Sequence, residues 1–143
     1  MMRRAFTLAE LLLVLALGSV LLGVAIPRFS AVVDRLEVAA AADHVAAAHR
    51  RARLMAVTQG IVAVLSVDPF ALTIRRRGVT APLWSEAGPI AHRVSLAGPV
   101  RQFTFSPEGF SLGLSNATIR LTRGGATRNV IISRLGRVRV THE

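Results

Sequence analysis

Sixteen consecutive residues, 11–26, read LLLVLALGSVLLGVAI without a charge, and a carboxylate, Glu10, stands directly before them. Counted from Phe6 the apolar stretch is 21 residues, which as α-helix spans about 31 Å, close to the thickness of a bilayer's hydrocarbon core. Arg3 and Arg4 precede it, and by the positive-inside rule they hold the N-terminus in the cytoplasm and send the rest outward. Two ordinary segments share this pattern. One is a secretory signal peptide, removed after small residues such as Gly23-Val24-Ala25. The other is a plain single-span anchor. Glu10 suits neither, because a carboxylate carried into a bilayer costs about a few kcal/mol even on insertion scales. Thr7 and Glu10 have the T-x-x-E spacing of a helix capping box, which would need no partner. The other reading is that Glu10 awaits a positive group that arrives only on assembly.

The stretch RRAFTLAELLLVLAL resembles the prepilin signal of type IV pilins and type II secretion pseudopilins. That resemblance implies cutting by prepilin peptidase between Ala5 and Phe6, followed by N-methylation of Phe6. Glu10 becomes the fifth residue of the mature chain, the family's hallmark position, thought to pair with the N-terminal ammonium of a neighbouring subunit. The residue before the cut is usually glycine and here is Ala5. Pro27 stands where pilin helices commonly carry a proline, which removes one helical hydrogen bond and bends the axis.

Beyond Pro27, Phe29, Val33, Leu36, Ala40, Ala47 and Leu54 recur near helical spacing as an apolar stripe, with Arg28, Asp34, Arg35, Glu37 and Arg50 on other faces. The run AAAADHVAAAHRRARLMA is rich in alanine, the best helix former. Gly60 is a natural stop. One helix over residues 7–59, kinked at Pro27, is expected, its small-residue face packed against the protein's own sheet. From Gly60 the period becomes two. GIVAVLSVD and FALTIRRRG read as paired strands, and PLWSEAGPIAHRVSLAGP as a loop or irregular crossover with a buried or half-buried Trp84. VRQFTFSPEGFSLG reads as strand, turn and strand. ATIRLTR, RNVIISR and GRVRVTH read as further antiparallel strands, the first two joined at Gly124-Gly125. The expected fold is α+β and pilin-like. A leader (1–5) precedes a transmembrane and filament-core helix (6–27), an amphipathic extension into the head (28–59) and a β-rich extracytoplasmic head (60–143).

The passage from ARLMAV to GIVAVLSV and the closing RNVIISRLGRVRV resemble the GspH/FimT branch of minor pseudopilins and pilins. The resemblance implies a non-enzymatic subunit of a type II secretion filament, most like its H-type pseudopilin. It would be anchored in the bacterial inner membrane and partnered by prepilin peptidase and by other pilins or pseudopilins. The alternative it implies is a FimT-type minor pilin of a type IV pilus that takes up DNA.

The residues themselves offer little chemistry. No G-x-S-x-G, Walker loop or paired-carboxylate motif occurs, and the eight acidic residues are scattered. Cysteine is absent, which removes disulfides, thiolate zinc sites and cysteine nucleophiles. His44 and His49 lie five apart, poorly aligned to share a metal, and solvated or half-buried histidines are expected. No cofactor or metal is called for. All 18 basic residues are arginine and the formal net charge is +10, which suits an anionic partner. Six arginines lie between residues 120 and 139 with no carboxylate among them. In Gly136-Arg137-Val138-Arg139 the alternation of a strand puts Arg137 and Arg139 on one face, in the plainest reading a solvated outer surface. The G-R-x-R element also resembles the one through which FimT-type minor pilins bind DNA, and that resemblance implies a DNA-binding role for Arg134, Arg137 and Arg139. Arg75-Arg76-Arg77 could extend that patch or mark a strand end.

Overall fold

A computed structural model describes residues 7–113 and 116–142. The expected processing pair, Ala5 and Phe6, lies outside the described residues, as do Arg3 and Arg4. One long helix, α1 (Leu8–Gln59), opens the chain with Pro27 inside it. Thr7 begins it: its Oγ1 accepts from the Glu10 amide at 3.3 Å and its carbonyl from the Leu11 amide at 3.2 Å. Gly60 ends it with φ +60°. There the Ile61 amide reaches the Ala56 carbonyl and the Gly60 amide reaches that of Val57. This paired bonding is a Schellman cap, and its left-handed residue is why glycine stops the helix there.

The described chain divides between Val33 and Asp34 into two compact units. In the first, the described residues are helical from Leu8 onward. Ser19 and Ser30 donate their hydroxyls to the carbonyls of Ala16 and Pro27.

The second unit sets the rest of α1 against two antiparallel sheets. The first sheet contains β1 (Ala63–Val67), β2 (Ala71–Arg76), β3 (Pro82–Ala87), β5 (Arg101–Phe105) and β6 (Ser111–Leu112). Its order is β3-β2-β1-β5-β6. The second contains β4 (Ser95–Ala97), β7 (Ala117–Arg123), β8 (Ala126–Ile132) and β9 (Val138–His142), in the order β4-β7-β8-β9. Leu65, Leu72, Ile74, Phe103 and Phe105 of the first sheet share one core with Ile119, Leu121, Val130 and Ile132 of the second. The helix closes that core with Val38, Ala41, Ala42, Val45, Ala46, Ala48, Ala52 and Ala56.

Three expectations need correction. The helix forms over the expected range, but Phe29, Leu36, Ala47 and Leu54 face outward. The buried stripe is the alanine-rich one beside them, because small side chains let the sheets approach where leucine would hold them off. Residues 82–97 are not a loop: they form β3, a short 3-10 turn (Pro89–His92) and β4. Pro82 opens an edge strand, where its missing N–H costs the sheet little. His49, finally, is neither solvated nor half-buried but sealed in the core, 1% exposed. Trp84 is half-buried as expected, with the Arg51 guanidinium 5.0 Å from its ring centre.

Candidate functional site

Two surfaces emerge from these elements. The first is the apolar part of α1. Its side chains from Leu11 to Ile26 are almost all exposed, and the helix is long and apolar enough to cross a membrane. Such a surface in a folded chain calls for lipid or for other helices. The cap at its start uses the Thr7 hydroxyl and the backbone amide of residue 10, which any side chain there would supply. A carboxylate in this first turn also suits the positive end of the helix dipole.

The second surface is an arginine groove in the head, lined by Arg53, Ile131, Ser133, Leu135, Arg137 and Arg139. The hairpin between β8 and β9 builds one wall. The Gly136 amide donates to the Ser133 carbonyl and the Ser133 amide to the Arg137 carbonyl, each at 2.9 Å. The Arg137 amide reaches the Ser133 hydroxyl at 3.2 Å. Gly136 closes this turn at φ +72°, a left-handed value that costs a residue with a Cβ about 1–2 kcal/mol. A Cβ there would meet only the Arg53 guanidinium, at 3.7 Å. The backbone angle, not lack of room, demands this glycine.

Arg139 pairs across the strands with Ile131, both pointing away from the core, while Val138 and Val140 pair with the inward Ile132 and Val130. Arg137 and Arg139 line the same groove, but β9 begins only at Val138, so Arg137 is placed by the hairpin and not by the strand alternation expected for it. Arg134 sits at the hairpin tip, its amide donating to Asn116 Oδ1 at 2.9 Å. The third guanidinium of the groove is Arg53, from the helix, which no sequence motif signalled. Arg75 belongs to the other sheet, where it donates to Ser66 Oγ at 3.1 Å. Arg75-Arg76-Arg77 therefore does not extend the arginine strand of the second sheet.

The remaining polar groups tie the head together. Arg123 Nε meets Asp34 Oδ1 at 2.9 Å, and its Nη1 donates to the His92 carbonyl at 2.7 Å. His92 Nδ1 lies 2.9 Å from Glu37 Oε2, and the His44 ring stands edge-on to His92 at 5.0 Å. His49 is packed edge-on between Phe103 and Phe105. Burial, reinforced by Arg53 and Arg50, pushes it down to about 4. Among the described residues no cluster of three or more metal-ligating side chains forms.

A membrane-length apolar helix continued by an alanine seam under an antiparallel β head defines a pilin-like protein. The model of the type II transport protein GspH family matches residues 41–136. The pilin-like protein PilA1 of Thermus thermophilus is 34% identical over an alignment of 163 residues covering 98% of this chain and 99% of that one. The type IV minor pilin FimU of Pseudomonas aeruginosa shares the fold in two crystal forms. One gives a TM-score of 0.60 at 23% identity over 75% of this chain and 90% of that one. The other gives 0.57 at 22% over 71% and 90%. The chain belongs to the GspH family of type IV pilin-like minor pilins and pseudopilins.

Proposed function

We propose that the chain is a structural subunit of a type II secretion pseudopilus, made as a prepilin and held in the bacterial inner membrane with its head outside the cytoplasm. The match of residues 41–136 to the family of the type II transport protein GspH carries this reading, and the exposed apolar helix supplies its assembly surface. Prepilin peptidase cuts between Ala5 and Phe6 and Phe6 is methylated. The membrane helices then bundle with those of other pilin-like subunits. Buried together in the bundle, the Glu10 carboxylate and a neighbour's N-terminal amine offset each other's desolvation cost. Pro27 marks the end of the bundled segment.

Mass spectrometry of the protein recovered from membranes tests this directly. A mature N-terminus at N-methylated Phe6 is expected, and one generated near Ala25 overturns the reading. Deleting the gene separates the machines, with loss of exported proteins expected.

A second reading, DNA capture by a minor pilin of a type IV pilus, draws support from one observation: Arg137 and Arg139 line a single groove with Arg53. Guanidiniums about 7 Å apart along a strand can meet successive phosphates. A gel shift that declines with salt and with Arg137→Gln plus Arg139→Gln would favour it; indifference to DNA at low salt would end it.

A further inference from the structure

We infer that the groove between Arg53 and the β8–β9 hairpin receives an extended, acidic segment of a different pilin-like subunit, laid along the free edge of β9. The inference rests on the reading of the chain as a filament subunit and names how its head would meet a neighbour.

Charge gives the first half of the argument. Three of the six lining side chains are guanidiniums and none is acidic. No carboxylate occurs anywhere from residue 109 to residue 142. A segment rich in Asp or Glu is the complement, since carboxylates take arginine's paired donors.

The apolar chains supply the second half. Leu135, at the hairpin tip, is 86% exposed, and Ile131 is 39% exposed beside it. Arginine is enriched at protein interfaces, and the exposed aliphatics beside it gain by being taken out of water. A phosphate backbone would leave both in water. Nor does the lining include an aromatic ring on which unpaired bases could stack. The groove, about 710 Å³, has room for several side chains.

The sheet edge fixes the posture of the segment. Among the described residues β9 pairs in the sheet with β8 alone, so its outer edge can accept a further strand. Along an added strand, alternate side chains would face Arg139 on the outer side and the half-buried Val138 and Val140 on the inner side. The preferred segment therefore alternates carboxylates with aliphatic residues.

A second copy of this chain is a poor occupant. Without Arg3 and Arg4 of the leader, each copy still carries a formal side-chain charge of +8. Its head carboxylates are largely committed: Asp34 to Arg123, Glu37 to His92, Glu86 to His44, Asp68 to the Phe70 amide and Glu108 to Ser106. The groove is built for a neighbour of opposite charge.

The test is fluorescence anisotropy with the full chain in detergent micelles and a labelled peptide of alternating glutamate and valine. The same peptide with lysine for glutamate, and a short DNA duplex, serve as competitors. Binding of the glutamate peptide is expected to weaken with salt. It should fall about tenfold or more with Arg53→Gln or with Arg137→Gln plus Arg139→Gln, and severalfold with Leu135→Ser. Displacement by DNA but not by excess unlabelled peptide, or binding indifferent to Arg53→Gln and Leu135→Ser, would overturn the inference. So would no binding at all. Correct processing at Phe6 alongside such a failure would remove this inference and leave the filament reading standing.

Discussion

Arg123 holds Asp34 at 2.9 Å through Nε while donating from Nη1 to the backbone carbonyl of His92. One side chain from β7 thus ties the helix to the turn before β4. Both partner residues are half-buried, so removing the arginine leaves a partly shielded carboxylate and an unmatched carbonyl. Arg123→Met should destabilise the head by about 2–3 kcal/mol, read by denaturant unfolding of the full chain in detergent. Arg123→Met with Asp34→Leu should recover part of that loss; an additive double variant would show that the two residues are not coupled.

His49 gives the head a defined acid sensitivity. Its Nε2 is buried with no hydrogen-bond partner among the described residues, and its pKa falls from 6.5 to about 4 on folding. Below about 6.5 the unfolded chain takes up a proton that the native imidazole refuses. The contribution is therefore complete above that pH and is lost as pH drops towards 4. Its ceiling is about 3 kcal/mol. Unfolding midpoints measured across this window should slope for the wild type and flatten for His49→Leu, which also removes the orphan nitrogen. An unchanged slope would place the acid sensitivity elsewhere.

Gly136 should tolerate a side chain in space but not in backbone angle. Gly136→Ala is expected to cost about 1–2 kcal/mol and Gly136→Asn less, since asparagine enters the left-handed region more readily. If thermal unfolding finds both variants equal to wild type, the hairpin does not need its left-handed residue.

The cap at the start of α1 separates two roles for one residue. Glu10→Ala keeps the backbone amide that bonds Thr7, so membrane insertion and helix content should persist. Incorporation into filaments should fail, as scored by shearing and immunoblotting. Normal co-assembly of Glu10→Ala would mean the carboxylate serves the helix alone.

Much of this architecture is legible in the chain because local physics dictates it. The helix stop at Gly60 and the β1–β2 pair around Asp68-Pro69 follow from residues close in sequence. So does the turn at Gly124-Gly125. What was hidden depends on partners distant in sequence. The strands at Pro82–Ala87 and Ser95–Ala97 sit at sheet edges, where prolines and short exposed runs mask the alternation. The burial of His49 is imposed by Phe103 and Phe105, more than fifty positions along. Arg53 joins Arg137 and Arg139 only because the hairpin folds back to the helix. The arginine pair was visible; its third member was not.

The alanine seam of α1 makes the head's mutational landscape lopsided. Shortening a methyl to hydrogen at Ala42, Ala52 or Ala56 loses little volume, whereas any larger side chain there must drive helix and sheets apart. Substitutions should be absorbed best at the exposed positions of the strands and loops. Heads can diversify on this scaffold while the rail beneath them stays thin.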